Sequence, residues 1–130
     1  VGDIFFPDYV LEQLSAFGGV TVRRMFGGAG LFKAGLMFGI ISEGELYFKV
    51  DDSNRADFEA KKSQPFAYEA RGRTVSLSYW FVPEEVIEEP AELMQWARKS
   101  FDVALKARKA EQAKPKSRRR GGPPPVRRRR

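Results

Sequence analysis

The sequence predicts an α+β domain of two layers: an antiparallel sheet of about five to six strands, with helices packed on one face, in the order α-β(4)-α-β(2)-α. Two observations predict it. Residues 20–50 form short runs of largely alternating apolar and polar positions, broken by turns such as Ala34-Gly35 and Ser42-Glu43-Gly44-Glu45. Turns that short join only antiparallel neighbours. Helical apolar spacing then flanks the strand region on both sides, which places helices against one layer of sheet.

The elements follow in chain order. Pro7-Asp8 opens a helix near 8–17, where Val10, Leu11, Leu14 and Phe17 recur at helical spacing and Gly18-Gly19 ends it. Val20, Val22, Arg24 and Phe26 alternate with Thr21, Arg23 and Met25 in a first strand. Gly27-Gly28-Ala29-Gly30 interrupts, and Leu31-Phe32-Lys33 resumes. Leu36 to Ile41 is nearly all apolar, the composition of a central strand covered on both faces. Leu46, Phe48 and Val50 alternate with Tyr47 and Lys49, completing a meander of about four strands. Asp51-Asp52-Ser53-Asn54 supplies capping residues for a short helix over Arg55 to Lys62. Pro65 to Glu69 and Thr74 to Val82 form a hairpin around Arg71-Gly72; in its second strand Val75, Leu77, Tyr79 and Phe81 share one face, and Ser76, Ser78 and Trp80 the other. Pro83-Glu84-Glu85 starts a helical turn. Pro90 starts the last helix, with a stripe of Leu93, Trp96, Ala97, Phe101, Ala104 and Leu105. Glu92 near its start, and Lys106, Arg108 and Lys109 near its end, complement the helix dipole.

Charge divides the chain in two. The 130 residues carry a net charge of +6, yet residues 114–130 hold nine of the 23 basic residues and no acid. Residues 1–113 therefore carry 14 basic and 17 acidic residues, a net charge of −3. The expected organisation is a domain over 1–113 followed by a disordered Arg/Pro-rich tail over 114–130, whose single aliphatic residue, Val126, buries too little to offset the entropy of ordering. The chain has no Cys and no His. That removes disulfides, thiolate nucleophiles, the usual zinc sites and Ser-His-Asp or Cys-His catalysis. No cofactor or metal site is expected, no apolar run approaches a membrane span, and Val1 to Phe6 shows no secretory pattern, so a cytoplasmic protein is expected.

Each candidate motif has a structural and a functional reading. The glycines at 27–30 lie between strands, which is the wrong context for a phosphate loop, and a bulge or tight connection accounts for them. Asp51, Asp52, Asp57 and Glu59 lack the ligand spacing of a calcium loop and read as a strand end and helix cap. Ser76, Ser78, Tyr79 and Trp80 line a strand with one polar face, and no base is present to activate a serine. Trp80 either packs under a helix or sits on an exposed binding surface. Arg23, Lys33 and Lys49, if they share a solvent face, make a modest basic patch; together with Trp80 they form the possible partner surface. Glu84, Glu85, Glu88, Glu89 and Glu92 cluster at helix starts, as a partner surface or as dipole complementation. The tail carries the strongest signal: Lys114, Lys116, Arg118, Arg119, Arg120, Arg127, Arg128, Arg129 and Arg130 are the candidate nucleic-acid-binding residues. Such contacts supply affinity without sequence information.

Taken together, Val20-Thr21-Val22-Arg23-Arg24-Met25-Phe26-Gly27-Gly28, Gly30-Leu31-Phe32, Gly35-Leu36-Met37-Phe38, Gly44 to Asp51, Asn54-Arg55, Phe58-Glu59, Pro65 to Glu69, Ser76 to Trp80, Val82 to Glu85 and Trp96-Ala97 resemble the N-terminal domain family of TfoX (Sxy), bacterial competence regulators. The resemblance covers about residues 4–108. It implies an α+β fold related to secretion-chaperone-like folds, and a non-enzymatic role in regulating transcription of DNA-uptake genes through protein partners. It carries over no catalytic or ligand residues. Longer members have a second helical domain where this chain has its basic tail. The expectation is a regulatory module whose body docks a protein partner, with the transcription machinery as the candidate, and whose tail holds DNA or RNA non-specifically. The alternatives are a chaperone-like interaction module with an incidental tail, and an enzyme using carboxylate or Lys chemistry.

Overall fold

A computed structural model describes residues 6–25 and 27–113; the predicted tail, 114–130, lies outside the described residues. Helix α1 (Phe6–Gln13) carries Pro7 and Asp8 in its first turn. The predicted extension to residue 17 is a turn: Phe17 N–H donates to the Leu14 carbonyl at 2.9 Å. Gly18 and Gly19 then adopt φ of +78° and +70°, values that L side chains resist, and reverse the chain into the sheet.

The strands are β1 (Val20–Met25), β2 (Gly28–Lys33), β3 (Leu36–Ser42), β4 (Glu45–Lys49), β5 (Pro65–Ala70) and β6 (Arg73–Phe81). They form one antiparallel sheet in the order β1-β2-β3-β4-β6-β5. The meander and the closing hairpin are as the alternation predicts. The glycine segment is so only in part: Gly27, at φ +77° in the turn, is the expected tight connection, but Gly28 to Gly30 belong to β2, which begins at Gly28 opposite Met25. Neighbouring atoms close over the missing side chains: a Cβ on Gly28 would sit 2.4 Å from the Ile41 carbonyl oxygen.

Helices α2 (Arg55–Ala60), α3 (Glu84–Ile87) and α4 (Pro90–Ala113) complete the fold. The packing contacts of the helices are with one side of the sheet. Phe38 on β3 is fully buried and meets Phe17, Phe48 and Phe101 with ring centroids 5.9, 5.7 and 6.4 Å apart. A register shift between Leu31 and Phe32, opposite β3, makes Phe38 the extra residue of a bulge. Fully burying such a side chain contributes roughly 1.5–3 kcal/mol. In α4, Ser100 and Val103 complete the buried stripe, whereas Leu105, expected in it, is 36% exposed. The helix runs on to Ala113, so Lys106, Arg108 and Lys109 lie before its last turn.

The apolar run in β3 predicts cover on both faces, and the structure supplies it on one. Among the described residues, Met37 and Ile40 face the side of the sheet opposite the helices, as their register with Phe32, Gly30 and Tyr47 requires. That side is the subject of the next section.

Candidate functional site

Strand alternation sorts the predicted surface residues. On β1, Val20 and Val22 pack against the core, so Thr21, Arg23 and Met25 point to the uncovered side. Register carries that side across the sheet: Thr21 opposes Phe32, Arg23 opposes Gly30 and Ile40, Ile40 opposes Tyr47, and Tyr47 opposes Phe81. Lys49 opposes Tyr79 on the same side. Tyr68 and Val75 extend it along the β5–β6 hairpin, toward Arg73.

Two of the four candidate partner-surface residues therefore share this face. The Arg23 guanidinium lies 5.0 Å from the Phe32 ring centroid, and the Lys49 ammonium 5.0 Å from that of Tyr79. Lys33 is on the other side, because it has the parity of Leu31 and pairs with Val20. Its ammonium donates to the carbonyls of Phe17 and Gly18 at 3.1 and 2.5 Å and lies 4.4 Å from the Phe17 centroid. It thus fastens the end of the α1 turn, where unpaired carbonyls favour a cation. Trp80 also faces the helices; it packs against the core, its ring 6.3 Å from Phe58. The nine candidate nucleic-acid-binding cations, Lys114 to Arg130, lie outside the described residues.

The uncovered face is apolar with a positive rim. Met25, Phe32 and Met37 converge over Gly30: an added Cβ there would lie 2.8 Å from either methionine sulfur and 2.9 Å from the Phe32 ring. Beyond Ile40, the Tyr47 ring meets Phe66 at 4.8 Å and Phe81 at 6.0 Å, edge to face. Burial pushes the Tyr79 hydroxyl up to about 12. Burial, then its 2.9 Å hydrogen bond to Glu45, pushes Tyr47 to about 12 as well. Neither tyrosine is poised as a base near neutral pH.

The remaining polar features are structural. Ser53 donates from its backbone N–H and hydroxyl to the Asp51 carboxylate at 2.7 and 2.5 Å, which holds that carboxyl below its usual range. Asn54, expected to cap α2, makes no side-chain cap. It is buried instead: its amide donates to the Lys49 carbonyl at 3.1 Å and its oxygen accepts from Asp51 N–H at 2.9 Å. Ser100 on α4 donates to the same Lys49 carbonyl at 2.8 Å. This buried polar link between β4 and α4 escapes sequence reasoning, since Asn54 looks like an ordinary cap. No cluster of three or more acidic residues is placed to hold a metal ion among the described residues, and no described helix is long and apolar enough to cross a membrane.

Residues 12–104 match the family model of the TfoX N-terminal domain. The chain belongs to the TfoX N-terminal domain family. It is 28% identical over 95 residues to protein Sxy of Escherichia coli K12, an alignment covering 73% of this chain and 46% of the relative. It is 27% identical over 97 residues to DNA transformation protein TfoX1 of Aliivibrio fischeri, covering 75% and 46%. The chain thus spans less than half the length of these relatives. The matched TfoX N-terminal span starts in α1 and ends in α4, so the whole sheet, with both its faces, lies inside it.

Proposed function

We propose that this chain is a non-enzymatic regulatory module of the competence-regulator type, whose folded body docks a protein partner while the tail holds nucleic acid. The observation that carries the reading is the TfoX N-terminal match over residues 12–104, supported by relatives of which one is named for DNA transformation. The charge division supports the separate role of the tail. Nine cations attract a polyanion, and full engagement on duplex DNA corresponds to a salt slope of roughly −8 at about −0.9 per phosphate. Action in the cytoplasm, where promoters are, belongs to the same reading.

The test is deletion of residues 114–130, with DNA affinity measured against salt concentration. Loss of affinity and collapse of the slope support the tail role; unchanged affinity and slope sink it. Affinity purification with and without the tail, under nuclease treatment, separates partners of the body from material recruited by nucleic acid.

A second reading is favoured by the uncovered apolar face: a chaperone-like interaction module with an incidental tail. The same purification distinguishes the two. Partners unchanged by tail deletion, with no nucleic acid bound at moderate salt, favour the second.

A further inference from the structure

We propose that the uncovered sheet face, framed by Arg23, Met25, Phe32, Met37, Ile40 and Lys49, is the docking surface of the body, and that it takes an acidic amphipathic segment of a partner protein. The proposal rests on the partner-docking reading above and names its site and chemistry. The starting point is β3. Its run from Leu36 to Ile41 has the composition of a strand covered on both faces, yet the described helices cover one. Met37 and Ile40 are left only half-buried on the other, as are Met25 and Phe32. Unbranched methionines make such a surface adaptable to the shape of a partner side chain.

Charge selects the occupant. The face carries Arg23, Lys49 and Arg73, against Glu45, whose carboxylate is held by the Tyr47 hydroxyl, and Glu43 at the turn beside Tyr47, so the cations outnumber the acids and lie away from them around Met25, Phe32 and Tyr79. The described ion pairs, Arg55–Asp52, Lys61–Glu85 and Lys99–Asp57, all involve residues of the helices or beside them, so the cations of the face keep their charge for a partner. A second copy laid on the same face brings like charges together, which disfavours it. The chain's own segment 114–130, with nine cations, is repelled for the same reason. That leaves an anionic partner.

Ring geometry then separates a peptide from a nucleic acid. Single-stranded nucleic acids bind sheets by stacking bases on open aromatic faces. Here one face of Phe32 lies under Arg23 and one face of Tyr79 under Lys49. Tyr47 is inclined 72° to Phe66 and 67° to Phe81, so those rings do not line up as one flat stacking platform. Apolar side chains at helical spacing fit so uneven a surface, and flanking carboxylates reach Arg23 and Lys49.

The chain's three methionines make the test direct: Met25 and Met37 lie on the face, and Met94 lies on α4 as an internal reference. Random 16-residue peptides are selected by display on the full chain, and those that a synthetic peptide of residues 114–130 also retains are discarded, so that peptides held by the tail cancel. The variant R23E/K49E is the comparison. The recovered peptides are then titrated into full chain labelled with ¹³C-methyl methionine. The expected result is peptides with net negative charge and apolar residues at i, i+3 or i+4, and i+7. They shift Met25 and Met37 but not Met94, and bind the variant at least about ten-fold more weakly, a change of about 1.4 kcal/mol. Should the charge reversals lower the melting temperature, R23Q/K49Q repeats the comparison. Peptides without acidic excess, or held equally by the variant, overturn the face while leaving partner docking elsewhere intact. No enrichment above the tail background overturns both readings. Movement of Met25 and Met37 with a single-stranded oligonucleotide, or with protein concentration alone, assigns the face to nucleic acid or to a second copy and overturns the proposal.

Discussion

The two sides of the sheet are built from similar residues and put to different use. On the helix side Phe38, Phe48 and Leu31 are fully buried, Phe38 among the rings of Phe17 and Phe101, and the strand lysine on that side, Lys33, is spent on two carbonyls and the ring of Phe17. On the other side Met25, Phe32 and Met37 converge over Gly30, and Arg23 and Lys49 lie over rings. The contrast separates residues that hold the fold from residues that the fold displays. It is sharpest between adjacent positions of one strand, where a single alternation step moves a side chain from one use to the other.

Phenylalanine truncation breaks the comparison most strongly. Phe38→Ala leaves a cavity among three rings and is expected to destabilise by about 3–5 kcal/mol. Phe32→Ala, on the uncovered side, is expected to lower stability by only about 1 kcal/mol, because neighbouring methionines and water fill the space. Urea denaturation of the two variants measures the difference; equal losses mean that the uncovered side is as tightly packed as the core.

The glycines of β2 give the next largest contrast. Gly28→Ala forces a Cβ against the Ile41 carbonyl, a backbone atom fixed by the ladder, and is expected to lower stability by about 2 kcal/mol. Gly30→Ala meets only the ends of Met25, Met37 and Phe32, which can swing away, so a loss of about 1 kcal/mol or less is expected. Unfolding midpoints measured at a common urea slope rank the pair.

Why these distinctions were only partly legible in the sequence follows from particular residues. The element order and the antiparallel meander were readable because Val20/Val22 and Leu46/Phe48 alternate cleanly with polar neighbours. The side on which Lys33 lies was also readable, since it has the parity of Leu31, but grouping cations by strand rather than by parity set it with Arg23 and Lys49. The glycine segment misleads because strand propensity penalises glycine, whereas here close approach of the Ile41 carbonyl requires it at Gly28, and Met25 and Met37 close over it at Gly30. The Phe38 bulge and the inward turn of Asn54 leave no signature in residue type: the first depends on how β3 registers against Leu31 and Phe32, and the second on Asn54 turning to Lys49 and Asp51 under the cover of Ser100 on α4.

The buried link between β4 and α4 sharpens the comparison next. Ser100→Ala removes a donor to the Lys49 carbonyl and a neighbour of Asn54, and is expected to destabilise by about 1–2 kcal/mol. Asn54→Ala removes more bonds and is expected to exceed it. Lys33→Met is expected to lower stability by about 1 kcal/mol through loss of the α1 cap, and Lys49→Met by nothing measurable. Thermal unfolding distinguishes them, and equal effects of the two lysine substitutions would deny that the sides differ in use.

The smallest expected effect concerns Asp51, whose carboxyl is held below the ordinary aspartate value of 3.8 chiefly by the Ser53 hydroxyl. A depressed folded-state value means that the unfolded chain binds the proton more readily. The carboxylate's contribution is therefore fully present well above pH 3.8 and fades as the pH falls through the folded-state value. Ser53→Ala removes the hydroxyl bond and leaves the backbone one. At pH 7 the variant is expected to be slightly less stable than the parent, by a few tenths of a kcal/mol for so exposed a bond. Once the pH has fallen below the folded-state value the two curves should converge, because the protonated carboxyl no longer gains from the donor. A gap that persists unchanged to low pH would assign the effect to the loop backbone rather than to charge. It would also place the junction between β4 and α2 with the features that hold the fold by packing alone.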